Sequence, residues 1–357
     1  MSLQPRVAAL VLAVAAVATT VTAAPAGARA VRAASGSGTV TLLTHDAFAA
    51  SDDVLAEFEH RTGLTVKVLK SGDAGQVVNE AILTQGHPVA DAIFGIDRAF
   101  LGRAVSAGLL ARHRPADLTT VPDGLTTGTR GFATPIDTAD VCINTDLAWF
   151  SGHHVPVPST LADLARTRYR NLLVVEDPST SSPGLAFLLA TVAAFGPQGW
   201  QRYWTRLRAN GVAVVDGWEQ AYYQEFSGGG QGGDRPLVVS YATSPAADVV
   251  YADPPITKSG VGTMTKTCFR DVEYAGVLRN AANPSGARKL VDFLLSATFQ
   301  ADVPLQMFVY PVRPGTPLPK VFTQNVDVPT DPYSLPGASI ERNRDDWIRT
   351  WTGIVLR

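Results

Sequence analysis

From residue 39 onward, short apolar runs of β type alternate with stretches of helical period, joined by connections of only a few residues. Residues 39–43, 64–69 and 91–95 read as strands. Val54, Leu55 and Phe58 place a helix over residues 53–62, stopped by Gly63, and Val77, Ile82 and Leu83 place another over 76–85. A third helix runs over 100–107 and ends at Gly108. After residue 140 the pattern resumes, with strands at 141–144, 172–175, 212–215 and 237–240 and helices at 160–165, 185–195 and 201–210. Asn283-Pro284 caps a helix over 285–295, and residues 347–351 lie on a closing helix. Strands that alternate with helices on short links need crossover connections. The expected fold class is therefore α/β, with mixed, mostly parallel sheets flanked by helices. The 357 residues suffice for two lobes with full cores, facing each other across a cleft. Ligands of open α/β sheets bind where the strands end at their carboxyl side.

Residues 1–30 stand apart. Arg6 precedes a nearly unbroken apolar run, and Ala28-Arg29-Ala30 is a small-x-small cleavage site, with Val21-Thr22-Ala23 as a second candidate. This reads as a secretory signal peptide, with an uncleaved membrane anchor as the alternative, so export to the periplasm or the outer side of the cytoplasmic membrane is expected. Residues 31–38 form a small polar linker. A net charge of −2, with no basic run, excludes a general nucleic-acid binder. Two cysteines, Cys142 and Cys268, sit in strand-like segments of an exported chain. They are a disulfide candidate, with two buried thiols as the alternative.

The residues collected at strand ends carry the functional signal. The first strand is followed by His45, Asp46, Ala47 and Phe48, the second by Gly72, Asp73 and Ala74, and the third by Asp97. Later strands lead into Ser181 and Ser182, into Trp218, Tyr222 and Tyr223, and into Tyr241, Ala242, Thr243, Ser244 and Pro245. Carboxylates neutralise a cation and aromatic faces attract it, while hydroxyls and helix N-termini hold a polar tail. The mixture points to a flat cationic ligand with a polar end. Singly, each residue has a plainer reading: Asp46, Asp73 and Asp97 as caps or turn residues, Ser181 or Ser182 as the cap of a helix with Pro183 in its first turn, Tyr241 as a strand residue. Catalytic and metal patterns are absent from the sequence. There is no Gly-x-Ser-x-Gly elbow, no His-Glu-x-x-His and no Cys-x-x-Cys, and His153-His154 lies in a polar loop. No enzyme activity, cofactor or metal is expected.

Several blocks then match a known family. They are 44–48 (Thr-His-Asp-Ala-Phe), Gly72-Asp73, Gly95-Ile96-Asp97, 176–184 (Glu-Asp-Pro-Ser-Thr-Ser-Ser-Pro-Gly), 217–222 (Gly-Trp-Glu-Gln-Ala-Tyr), 240–245 (Ser-Tyr-Ala-Thr-Ser-Pro) and 310–312 (Tyr-Pro-Val). Over about residues 39–352 the chain resembles the thiamine-binding periplasmic proteins of ABC importers. The resemblance implies a two-lobed type II periplasmic-binding-protein fold hinged on two crossover strands. It places one lobe at 39–136 with 266–357 and the other at 137–265. It implies that a monomer captures thiamine, or its mono- or diphosphate, and delivers it to an ABC permease. Carried over by motif, Asp73 and Ala74 contact the ligand, Ser181 and Ser182 its phosphate end, Trp218 makes a stacking or polar contact, and Tyr241 to Pro245 form a further contacting run. This chain has His45 where the family usually has Tyr, Ala74 where it has Gly, and Phe308 near the position of a usual Trp. Tyr222-Tyr223 also resembles the tyrosine pair of iron(III)-binding relatives, so iron(III) or a polyamine is the alternative solute. An exported hydrolase is a further alternative.

Overall fold

The computed structural model describes residues 38–357. The expected signal peptide and linker lie outside the described residues, except for Gly38, which opens the first strand. Ten strands join in one mixed sheet: β1 (Gly38–Thr44), β2 (Leu64–Lys70), β3 (Ala92–Asp97), β4 (Leu110–Ala111), β5 (Thr134–Asp146), β6 (Leu173–Glu176), β7 (Ala213–Val215), β8 (Leu237–Tyr241), β9 (Val261–Leu278) and β10 (Tyr310–Pro311). Their order is β2-β1-β3-β9-β5-β8-β6-β7, with β4 on β9 and β10 on β5.

Pairing is parallel on both flanks, β1 with β2 and β3, and β6 with β7 and β8. Every pairing of β5 or β9 is antiparallel. The sheet is mixed as expected, but its parallel share is smaller than the strand–helix alternation suggests. The two long central strands account for the difference. The sequence shows β5 only over 141–144, because its first half carries Pro135, Asp137 and Asp140, which strand propensity disfavours. Pairing with β9 overrides that preference.

β3 and the later part of β1 are buried on both faces, and successive residues enter different cores. Leu43, Ile93 and Ile96 pack in the cluster that holds Val77 and Phe100. Val40, Leu42, Ala92 and Phe94 pack with Phe58 and Leu290. Each of the larger side chains among them contributes about 1.5–3 kcal/mol by leaving water. The helices follow their sequence signals closely. α1 (Asp52–Thr62) ends where Gly63 takes φ 70° and returns its N–H to the carbonyl of Glu59. α2 (Ala74–Leu83) starts two residues before the expected point, because Asp73 caps it and Gln76 bonds back to the Asp73 N–H. α3 (Arg98–Ser106) follows Asp97.

The central strands are pinned to each other. Opposite Val141–Ile143 the register of β9 jumps from Phe269 to Met264. The Thr267 hydroxyl fills the gap by accepting from the Ile143 N–H at 3.0 Å. At the same place the sulfurs of Cys142 and Cys268 are bonded, so the thiol alternative does not hold. The closing helix, Gly337–Val355, lies against both flanks. Arg344 sits over the Phe100 ring at 4.6 Å, and Trp351 meets Trp204 edge-on at 5.4 Å. Trp204 belongs to the helix Ser182–Ala209, which kinks at Gly196.

Candidate functional site

A cavity of 530 Å³ opens where β1, β2, β7 and β8 end, in the size range of small-molecule sites. One wall is built by His45, Asp46 and Phe48 after β1 and by Lys70, Gly72, Asp73 and Ala74 after β2. The facing wall is built by Ser182, Asp216, Trp218, Tyr222, Tyr241, Thr243 and Ser244. Glu273 of β9 and Met307–Val309 complete the lining. Five carboxylates (Asp46, Asp73, Asp216, Glu219 and Glu273) line the cleft against a single lysine, Lys70, so its field favours cations.

Local rules place the first wall. The Asp46 Oδ1 accepts from the Gly72 N–H at 3.1 Å, and Lys70 Nζ donates to the Asp46 carbonyl at 2.7 Å. Gly72 has φ 66°, and a Cβ there would fall 1.6 Å from the Gln76 Oε1 that completes the α2 cap. Only glycine fits such a turn without strain. Asp73 does more than cap. Its Oδ1 accepts from Ala74 N–H at 2.7 Å and from Ser182 N–H at 3.3 Å, and its Oδ2 accepts from Trp218 N–H at 3.1 Å. One carboxylate thus ties the two walls together.

The facing wall is aromatic. Trp218 stacks on Tyr222 at 5.2 Å and 25°, and meets Tyr241 and Tyr223 edge-on. Its Nε1 donates to Ser240 Oγ at 2.8 Å, and Ser240 Oγ lies 2.9 Å from Ser244 Oγ. Thr243 donates its hydroxyl to the Phe308 carbonyl.

Of the residues expected at the site, Asp46, Gly72, Asp73, Ala74, Ser182, Trp218, Tyr222, Tyr241, Thr243 and Ser244 line the cleft. Asp97, Ser181, Ala242 and Pro245 do not. Asp97 is buried and caps α3 through the N–H groups of Ala99 and Phe100, and it accepts from the Ser182 hydroxyl at 2.5 Å. Ser181 is buried as the cap of the helix Ser182–Ala209. Ala242 packs against the Cys142–Cys268 bridge, and Pro245 is buried in the first turn of the helix Ser244–Tyr251. Asp97 and Ser181 are held by capping, because the backbone donors of a helix start need a partner whether or not a ligand is present, and Ala242 and Pro245 are held by apolar packing. The hydroxyl-rich loop shows the same outcome. Ser179 bonds Asp177 and Thr180 bonds the Asp216 carbonyl, leaving Ser182 alone on the lining.

Tyr223, collected with the strand ends, also lines the cleft, and so do Glu273, Tyr251 and Glu219, which sequence reasoning does not single out. Glu273 carries a usable signal: with Asp271 it puts two acids on one face of the otherwise apolar final part of β9, residues 271–278, where an acid needs a reason. Beneath the cleft floor the acids are crowded. Burial raises the Asp97 and Asp137 carboxyls well above the usual range, helped by Asp271 and Glu273 respectively. Burial and Glu273 push Asp271 up to about 6. Glu176, buried at the end of β6 with neither carboxylate oxygen bonded, is also raised well above its usual value, by burial first and by Asp73 second.

These acids set a stability prediction. An acid whose folded-state pKa is raised favours the folded chain below its unfolded pKa and loses that advantage as pH rises through the folded value. Stability should therefore fall by up to about 1.4 kcal/mol per pH unit for each such acid above roughly pH 4.5. Glu176→Gln should flatten part of that fall, read as the urea midpoint against pH. An unchanged profile would contradict the assignment.

The profile of the bacterial extracellular solute-binding protein family matches residues 87–333, about two thirds of the chain. The chain belongs to this family. The thiamine-binding periplasmic protein of Escherichia coli (strain K12) is 28% identical over 326 residues, covering 89% of this chain and 94% of the relative. That of Brucella suis is 25% identical over 336 residues, covering 91% and 94%. A solved periplasmic thiamin binding protein superposes on this solute-binding protein with a TM-score of 0.78 at 26% identity, covering 89% of this chain and 96% of the other. Iron-bound HitA from Pseudomonas aeruginosa shares the fold at a TM-score of 0.70 and 20% identity, covering 88% and 99%. The two-lobed fold expected from the sequence is thereby established. Among the described residues, no helix is long and apolar enough to cross a membrane.

Proposed function

We propose that this solute-binding protein captures thiamine, or its mono- or diphosphate, outside the cytoplasm and delivers it to an ABC importer. The observation that carries the reading is one cleft lined by five carboxylates and by the Trp218–Tyr222 stack. Thiamine joins two flat aromatic rings, one of them a permanently charged thiazolium, and such groups are held by aromatic faces and nearby carboxylates. The names of the relatives at 25–28% identity support the same ligand. Lobes at 39–136 with 266–357 and at 137–265 would close over it on β5 and β9, with Asp73 joining the walls. Ser182 is engaged by Asp97 and Asp73, so we assign a phosphate tail, where present, to Lys70 instead.

Purified protein, stripped of ligand by unfolding and refolding with its disulfide intact, should show a saturable change in tryptophan fluorescence on titration with thiamine. Trp218→Ala should weaken binding at least tenfold, about 1.4 kcal/mol. No response to any thiamine form would overturn the reading. A visible charge-transfer colour on adding iron(III) would instead favour the adjacent phenols of Tyr222 and Tyr223.

A further inference from the structure

We propose that His45 sets the charge of the cleft and thereby its specificity: neutral, it favours a bare cation; protonated, it favours a solute with an anionic tail. The inference deepens the thiamine reading and rests on it. His45 lines the cleft, and its side chain is 12% exposed. Its Nε2 lies 3.3 Å from Oε1 of Glu273, and its ring meets Phe94 at 5.5 Å. Behind it, Gly95 has φ 89°, and a Cβ there would lie 2.3 Å from the imidazole Cδ2. The ring therefore seats directly on β3 backbone, which holds it against Glu273.

The charged groups around it come from several elements. Glu273 projects from β9, Asp46 from the β1 end, Asp73 from the start of α2, and Lys70 from the β2 end on the same wall. Asp137 pairs with Glu273 across β5 and β9, with no hydrogen bond from its carboxylate oxygens to any neighbour. Burial lowers the His45 pKa, but the nearby charges of Glu273, Asp73 and Asp46 bring it above the ordinary histidine value. The imidazole thus keeps its charge to higher pH than an ordinary histidine. Protonated, it cancels Glu273 and opposes a cation in the same cavity. Bound cation in turn favours the neutral ring, so capture of thiamine releases a proton. The acids beneath the floor give the wild-type profile the same sign, because protonating them also weakens cation binding. The decisive comparison is therefore a variant that removes only the titration of His45.

Thiamine affinity of the full protein should rise roughly tenfold or more from pH 5.5 to pH 8. In His45→Gln that rise should shrink to about threefold or less, with binding at pH 5.5 tighter than wild type. At pH 6, the same variant should shift the ratio of thiamine to thiamine monophosphate affinities several-fold towards thiamine, as roughly expected for loss of one cationic charge. His45→Asn guards against a poorly folded first variant. Wild-type calorimetry in two buffers of different ionisation enthalpy should show protons released on binding near pH 7. A wild-type slope and ratio retained in both variants, or no proton release, would overturn the role of His45 while leaving the thiamine reading intact. Failure of thiamine to bind at any pH would overturn both.

Discussion

Asp73→Ala is expected to weaken thiamine binding on the order of 100-fold, about 2.7 kcal/mol. Three backbone donors converge on this carboxylate: Ala74 on its own helix, and Ser182 and Trp218 on the facing wall. Hydrogen bonds to a charged group contribute about 1.5–3 kcal/mol each, and the two that cross the cleft form only when the walls meet. Without them, ligand binding must supply more of the closure free energy, and the cation loses a carboxylate. The variant should also lose about 1 kcal/mol of stability with the α2 cap. Asp73→Asn separates the two effects. Its amide oxygen retains an acceptor for the cap, while its N–H₂ opposes the Trp218 N–H. It should fold nearly as well as wild type yet bind weakly. Wild-type affinity in Asp73→Ala, measured by titration calorimetry, would remove the cross-cleft role.

Replacing both cysteines, Cys142→Ala with Cys268→Ala, is expected to cost about 3 kcal/mol and to lower the thermal midpoint by roughly 4–6 °C. The bridge spans a sequence separation of 126 residues, so much chain freedom is removed from the unfolded state. It also clamps β5 to β9 where their register jumps, on the strands that carry both flanks of the sheet. Both cysteines are fully buried, so reductant should act only as the chain unfolds. An unchanged midpoint, or a folded protein reduced as fast as a free peptide, would show that the strands hold without the bridge.

Most of the secondary structure was legible because its signals are local. Gly63 ends α1, Asn283-Pro284 starts a helix, and the period of Val54, Leu55 and Phe58 defines a face. The cleft was legible in part for the same reason: loops after parallel strands meet at one edge of a sheet, so Asp46, Asp73, Trp218 and Tyr241 converge there. The four expected residues that fall outside the lining also sit at strand ends, and Asp97 and Ser181 act as helix caps there. A cap and a ligand contact call for the same residue types in the same places, and sequence spacing does not distinguish them.

Periodicity and punctuation are enough to specify an α/β chain with a polar and aromatic rim at its strand ends, since burial patterns and helix stops depend on neighbours in sequence. The meeting of distant strands is different. That β5 and β9 pass through the middle, that Glu273 comes beside His45, and that Asp73 reaches Ser182 and Trp218 depend on pairings 109 to 145 residues apart for Asp73 alone. Such contacts are selected by the packing of the whole sheet. For that reason the charge of the cleft, and which of its acids faces a ligand, became visible only in three dimensions.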